Sequence, residues 1–339
     1  MPPVSGNARI SRPILTLVLP IYNEEAVIPE LDRRLRAFLE TLEVTWEVVF
    51  VDDGSRDKSR ELLKAVLRND PRYRLFSFSR NFGHQAAITA GVDYARGEAV
   101  VVMDADLQDP PEVVREMLRL WHQGYDVVYG VRRARRRESI FKRATAAAFY
   151  RLLRIIVGVS IPVDTGDFRL MSRRVVLTLR SLREASRFVR GMVAWIGFKQ
   201  TAVYYERQGR FAGETHYPMR KMIRFALDGI TSFSSAPLRI ATVLGILAGG
   251  VGLIVAGWAV YVRLFNKAAV PGWATIMIAV SLAGSAQLLI MGIIGEYIGR
   301  IYEEVKRRPL YVIEERIDTV AGDDSGGEAE ELPDDLQRP

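Results

Sequence analysis

A chain of 339 residues, 49% of them apolar, exceeds the roughly 250 to 300 residues that one hydrophobic core sustains, so a second module is expected. Its 47 Lys and Arg against 40 Asp and Glu give +7, but residues 322–339 hold seven acids and one Arg, leaving a body of 46 basic and 33 acidic residues at +13. A basic body admits nucleic acid, anionic lipid or anionic substrates, while the absence of cysteine excludes disulfides and fits a cytoplasmic enzyme.

Residues 1–13 form an N-terminal extension without the charged stretch and short apolar core of a cleaved signal. Ile14 to Pro20 predicts a buried strand that ends in the polar turn Ile21-Tyr22-Asn23-Glu24-Glu25, which opens a helix. Trp46 to Val51 predicts a second strand, ending in Asp52-Asp53-Gly54-Ser55. The first βα turn lacks G-x-G-x-x-G, which argues against a nicotinamide or flavin enzyme; acids at the first two turns suit a ribose and a base. Ala99 to Met103 predicts a third buried strand, running into Asp104-Ala105-Asp106-Leu107-Gln108-Asp109-Pro110-Pro111. Open α/β sheets bind ligands at such carboxyl ends. If strand alternation continues, Asp104 and Asp106 turn towards one hard cation, Mg²⁺ or Mn²⁺, with the Gln108 amide close by. A cation with so few protein ligands shares its remaining positions with substrate phosphates. The same acids could instead serve as caps, Asp109 before Pro110-Pro111 and Asp53 for a helix starting near Ser55.

A basic cluster follows at Arg132, Arg133, Arg135, Arg136, Arg137, Lys142 and Arg143. Ala144 to Val159 then carries Phe149, Leu152, Leu153, Ile156 and Val157 at helical spacing, a stripe for the membrane interface or for packing on the sheet. With no interleaved aromatics and no reading motif, nucleic acid is not the partner. A second amphipathic helix is predicted over Tyr217 to Ser235. Ile240 to Val262 and Ala274 to Ile294 are almost free of strongly polar residues, and each meets the roughly 20 residues needed to cross a bilayer. Pro271-Gly272 in the short link predicts a hairpin. Basic residues concentrate before and after it, which places the catalytic side and both termini in the cytoplasm of a cell whose inner membrane the hairpin spans. Gly245, Gly249, Gly252 and Gly284 permit close helix approach, either in a homo-oligomer or within the hairpin. The acidic segment from Gly322 reads as disordered. His84 and His122 fall in no metal-ligand spacing and read as structural or exposed.

Pro20-Ile21-Tyr22-Asn23-Glu24, Val51-Asp52-Asp53-Gly54-Ser55 and Asp104 to Pro110 together resemble the signature of the inverting family 2 glycosyltransferases with the GT-A fold. Asp164-Thr165-Gly166-Asp167-Phe168-Arg169-Leu170 and Arg207 to Thr215 resemble the polyprenyl-phosphate branch, which includes dolichyl-phosphate mannose synthases and bactoprenol glucosyltransferases. The resemblance covers Ile14 to about Pro309. It implies an α/β class: a Rossmann-like, mainly parallel GT-A domain over 14–215, an interface helix over 216–236, a two-helix membrane hairpin over 237–299 (about 240–262 and 274–298), a cytoplasmic segment over 300–321 and the tail over 322–339. It further implies one sugar moved from a nucleotide sugar, UDP-glucose ahead of GDP-mannose, to polyprenyl (undecaprenyl) phosphate. Pro20, Tyr22, Asn23, Glu24, Asp52, Asp53, Asp104 and Arg207 would bind the donor. Asp104, Asp106 and Gln108 would hold Mg²⁺ or Mn²⁺, with Asp106 and Asp167 as the catalytic acids. Arg132, Arg143 and Arg169 would grip the acceptor phosphate. Asp167 could equally form a turn or pair with Arg169. The segment Thr215-His216-Tyr217 departs from the branch's Ser-Lys form, which weakens transfer of a phosphate-binding lysine. A hydroxyl acceptor, or a membrane-tethered subunit that binds nucleotide sugar without turning it over, remain the alternatives.

Overall fold

The structure is a computed structural model that describes residues 12–132, 165–206, 236–265 and 272–318. Arg143, Arg207, the two amphipathic helices expected at 144–159 and 217–235, and the acidic tail lie outside the described residues. The chain divides into two compact units, one containing 12–132, 165–206 and 309–318, the other 236–265 and 272–308.

In chain order the strands of the first unit are β1 (Leu15–Ile21), β2 (Trp46–Asp52), β3 (Tyr73–Phe78), β4 (Ala99–Val102), β5 (Val127–Arg132), β6 (Thr165–Ser172), β7 (Gln200–Tyr205) and β8 (Ile313–Asp318). Among the described residues they form one sheet in the order β7-β5-β6-β4-β1-β2-β3-β8. The central strands β4, β1, β2 and β3 run parallel. On the flanks β6 is antiparallel to β4, β5 is antiparallel to β6 and parallel to β7, and β8 is antiparallel to β3. The mainly parallel sheet expected from the sequence is therefore a mixed sheet with a parallel centre.

Every residue of the mostly apolar β1 and β2 is buried, as helices covering both faces of a parallel sheet require. Leu15, Leu17 and Leu19 share one cluster with Leu31 and Leu35 of α1 (Ile28–Leu39), Leu63 of α2 (Ser59–Leu67) and Val114 of α4 (Val113–His122). Val18 points the other way, to α3 (His84–Tyr94). A Cβ on Gly91 would stand 2.1 Å from Val18 Cγ1, so glycine is what lets α3 lie this close to the sheet. Two shorter helices, α5 (Arg173–Ser181) and α6 (Val189–Ile196), also belong to this unit.

The edge strand β8 is fastened by charge. Asp318, 3% exposed, meets Arg74 at 2.9 Å, Arg96 at 2.8 Å and Arg316 at 3.1 Å, and Arg74 itself is 2% exposed. Burial opposes ionisation, but the guanidinium groups win and hold Asp318 below the usual carboxylate range. A carboxylate with a depressed folded pKa stabilises the fold above its unfolded pKa of about 4, and that stabilisation is lost as pH falls through the folded value. Asp318→Asn is thus expected to cost about 3 kcal/mol at neutral pH, because it leaves buried Arg74 under-compensated. The deficit should shrink below about pH 4. Denaturation of detergent-purified protein at both pH values checks this, and an equal deficit at both would contradict it.

The second unit consists, among its described residues, of α7 (Ala236–Phe265) and α8 (Trp273–Val305), which enclose the two predicted apolar segments. Leu282–Val305 is long and apolar enough to cross a membrane; in α7 the apolar run is shorter, Ala241–Val255. Large apolar side chains face outward on both, among them Leu253 and Leu288. A Cβ on Gly245 would stand 3.9 Å from Ile290 of α8, whereas a Cβ on Gly249, Gly252 or Gly284 would meet no described atom within 4 Å beyond its chain neighbours and its own helix backbone.

Candidate active site

Strand order reverses at β1, which has β2 on one side and β4 on the other. The carboxyl ends of β1 and β4 therefore border the switch-point crevice where open α/β sheets bind ligands. Pro20 fits at this place. The nitrogens of alternate β1 residues face β2, as Leu15 N does in donating to Thr45 O, so Pro20 faces the β4 side. Pairing with β4 stops at Val18, and the N–H that proline lacks has no ladder partner there.

β4 ends at Val102, and Asp104 and Asp106 sit on a turn rather than on a strand. The alternation expected of them does not operate. Leu107 takes the left-handed conformation (φ 59°), and Asp106 accepts from Gln108 N at 3.1 Å, so the turn folds over its own carboxylate. Asp106 is 8% exposed, while the Asp104 side chain is 27% exposed. Burial pushes Asp104 up to about 6; Asp109, Asp167 and Asp106 push the same way against the opposing charge of His84. Among the described residues no three His, Cys, Asp or Glu side chains gather in a ready-made metal cluster. Two carboxylates and an amide nevertheless make a hard-oxygen donor set suited to Mg²⁺ or Mn²⁺, and the part of the Asp104 shift that comes from the neighbouring acids is what a bound cation would relieve.

Opposite this turn, Asp167 of β6 is surrounded by donors. His84 Nε2 lies 3.3 Å from Asp167 Oδ2 and 3.5 Å from Asp104 Oδ1, so a single imidazole joins the two acidic loops. Gln85 Nε2 donates to Asp167 Oδ2 at 3.4 Å, and Arg190 Nη2 stands 3.4 Å from Oδ1. Burial would raise Asp167, but the His84 hydrogen bond and the charges of Arg190 and Arg169 outweigh it and hold the carboxyl far below its usual range. The same contacts raise His84 despite its partial desolvation. Sequence reasoning passed over His84, which is the first residue of α3 behind Gly83 at φ 103°.

Next to them the loops after β1 and β2 are laced together. Asn23, itself left-handed (φ 54°), donates its N–H to Ser55 Oγ at 3.0 Å and accepts from Arg56 N through Oδ1 at 2.9 Å. Glu24 N donates to Ser59 Oγ at 2.8 Å. Asn23 thus spends its carbonyl on loop shape, while Tyr22, 43% exposed, faces solvent at the crevice. Asp52 is fully buried and holds Ser55 N at 3.0 Å and Arg60 Nε at 2.9 Å. Asp53 does not cap α2. It accepts from Phe82 N at 2.7 Å, from Gly83 N and from Asn81 Nδ2, and so fixes the loop that presents His84. A Cβ on Gly54 would stand 2.5 Å from the Arg80 carbonyl carbon, and this glycine, at φ 68°, lets the two loops touch.

Arg132, at the end of β5, lies 3.9 Å from Asp109 and 3.4 Å from the Tyr205 hydroxyl, which itself donates to Asp109. A Cβ on Gly166 would stand 2.7 Å from Arg132 Nη2, so the Thr-Gly-Asp-Phe motif makes room for this side chain. Arg169 is only 3% exposed, and its Nη2 donates to Gly166 O at 3.0 Å; it braces the start of β6 beside Asp167 rather than facing solvent as an anion grip. Of the expected residues, the structure brings together Asp104, Asp106, Gln108, Asp167 and Arg132 around the β4 and β6 loops, and Pro20, Tyr22, Asn23, Glu24, Asp52 and Asp53 around the β1 and β2 loops.

A mixed α/β sheet that sets acidic loops on both sides of its switch point has the organisation of a GT-A-like glycosyltransferase. Residues 16–180 match the model of Glycosyl transferase family 2, and the chain belongs to that family. It is 51% identical over 299 residues to the uncharacterized glycosyltransferase YkcC of Bacillus subtilis (strain 168), covering 88% of this chain and 93% of that one. The prophage bactoprenol glucosyl transferase homolog of Escherichia coli (strain K12) is 39% identical, with 88% and 98% covered. A solved structure of glucosyl-3-phosphoglycerate synthase from Mycobacterium tuberculosis with Mg²⁺ and UDP is similar at a TM-score of 0.47 and 18% identity, covering 65% of this chain and 78% of that one.

Proposed function

We propose that the protein moves one sugar from a nucleotide sugar, UDP-glucose first among donors, to the phosphate of a polyprenyl lipid at the cytoplasmic face of the cell membrane. The relatives named as bactoprenol glucosyl transferases support a lipid carrier as acceptor. The surroundings of Asp167 support this choice of acceptor chemistry. Its carboxylate is already engaged by His84, Gln85, Arg190 and Arg169, which hold it in the ionised form, so it suits a nucleophile that brings no proton to be removed. A phosphate oxygen, largely anionic at neutral pH, is such a nucleophile; a sugar hydroxyl is not.

In this reading Asp104, Asp106 and Gln108 hold Mg²⁺ or Mn²⁺, which when bound neutralises charge developing on the departing diphosphate. The loops after β1 and β2 hold the base and ribose, with Tyr22 at their exposed edge. An oxygen of the lipid phosphate attacks the anomeric carbon opposite the leaving group. The new C–O bond forms as the bond to the β-phosphate oxygen breaks, the electron pair leaves with the nucleoside diphosphate, and the configuration inverts. Asp167, His84 and Arg190 position acceptor and donor, and Arg132, with Arg143 and Arg207, supplies guanidinium groups for phosphate. The helices α7 and α8 form the two-span membrane anchor, and the open glycines on them leave room for a second copy.

Transfer of radiolabelled sugar into an organic-extractable product tests this, using detergent-purified protein, polyprenyl phosphate and UDP-glucose, UDP-N-acetylglucosamine or GDP-mannose. Label is expected in the lipid phase with one donor and is expected to vanish with EDTA. Nucleotide binding without lipid product from any donor would favour a hydroxyl acceptor or a binding subunit.

A further inference from the structure

Arg60, on the first turn of α2, contacts the ends of three strands. Its Nε donates to Asp52 Oδ2 of β2 at 2.9 Å, its Nη1 meets Glu314 Oε2 of β8 at 2.8 Å, and its Nη2 donates to Phe78 O of β3 at 3.2 Å. A planar guanidinium can serve three fixed directions at once, which an ammonium cannot. Asp52, fully buried, depends on this cation for charge compensation. Its other oxygen takes Ser55 N at 3.0 Å, and Ser55 Oγ in turn takes Asn23 N at 3.0 Å. An unbroken path of polar contacts therefore runs from Glu314 through Arg60, Asp52 and Ser55 to the loop carrying Tyr22 and Glu24.

The same strand has a second tether that does not enter this path. Lys64 Nζ, one turn further along α2, lies 2.7 Å from Glu315 Oε1. Two neighbouring ion pairs thus fasten β8 to α2, and among the described residues the Arg60 pair continues to the crevice while the Lys64 pair does not.

We propose that Arg60 is a positioning residue for the donor pocket and that Glu314, on the strand that follows the apolar helix α8 in sequence, is its second support. The C-terminal strand is then part of the nucleotide-binding machinery as well as the edge of the sheet. The inference rests on the donor reading given above. It locates one determinant of donor affinity 254 positions along the chain from its partner on α2.

The test is titration of the full-length protein in detergent with UDP and with GDP in the presence of Mn²⁺, alongside donor KM, kcat and thermal midpoints. Arg60→Met is expected to weaken binding of the preferred nucleotide about 10- to 100-fold, and Arg60→Lys about tenfold, because a lysine restores charge but not the three contacts. Glu314→Gln is expected to weaken it about threefold with kcat unchanged. Lys64→Met should leave nucleotide affinity within about 1.5-fold of wild type while lowering the thermal midpoint as much as Glu314→Gln does. In the Arg60→Met background, Glu314→Gln should add nothing further. Equal losses of affinity in Lys64→Met and Glu314→Gln would overturn the proposal, since strand attachment alone would then explain both. An unchanged affinity in Glu314→Gln would overturn the role of β8. Wild-type protein that binds neither nucleotide would overturn the donor reading and the inference together.

Discussion

Asp106→Asn is expected to lower turnover about 10³-fold while leaving the fold intact. Asparagine keeps the size of the side chain and an oxygen that can accept from Gln108 N, the contact that shapes the turn at 3.1 Å. It removes the negative charge, which is what a divalent cation requires of this residue. Loss of one preorganised electrostatic group commonly costs 10² to 10³ in rate, and a metal ion supplies several kcal/mol of charge stabilisation, so about 10³ is the scale when both fail together. The variant should show a wild-type thermal midpoint, a Mn²⁺ requirement shifted to much higher concentration, and little change in binding of nucleoside diphosphate without metal. A wild-type response to Mn²⁺ would remove Asp106 from the cation site and leave it as the residue that folds the turn.

Asp167→Asn should have the next largest effect, a fall in kcat of about 10- to 100-fold without abolition. The carboxylate of Asp167 gathers His84, Gln85, Arg190 and Arg169, and a neutral amide cannot hold them in the same arrangement. Loss of an obligatory general base would cost more, about 10² to 10⁴, and would make the remaining rate climb with pH as the acceptor hydroxyl ionised. Because Asp167 stays ionised throughout the neutral range, it should contribute no inflection to the pH profile of the wild type between about pH 6.5 and 8.5. A variant without detectable turnover, together with a wild-type inflection assigned to Asp167, would point to a hydroxyl acceptor.

The sequence was legible where burial on both faces left an unambiguous pattern. β1, β2 and β4 are buried along their whole length and mostly apolar, with Thr16 and Glu47 satisfying each other inside, and they appear close to the predicted places with the acidic loops following them. β8 could not be read in this way. Ile-Glu-Glu-Arg-Ile-Asp lies at a sheet edge and is fixed by ion pairs to residues 222 to 254 positions away, which no local pattern encodes. The antiparallel flanks were not read for the same reason: β6 and β8 carry charges and pair antiparallel with β4 and β3. At the site, residue types were readable but partners were not. Asp53 looked like a cap for α2 and instead holds Phe82 and Gly83, because the turn at Gly54 brings the third loop against the second. Arg169 looked like an anion grip and is buried, donating to Gly166 O of its own strand. His84 carried no motif; only the meeting of α3 with the β4 and β6 loops reveals it.

The most direct test of the central claim is acceptor choice. Purified protein, its preferred labelled donor and Mn²⁺ would be offered polyprenyl phosphate or the corresponding free polyprenol, and the lipid product treated with mild acid. Transfer to the phosphate alone, with all label released by mild acid as a glycosyl phosphate requires, is the expected result. Label on the free alcohol, or a lipid product that survives the acid, would contradict it.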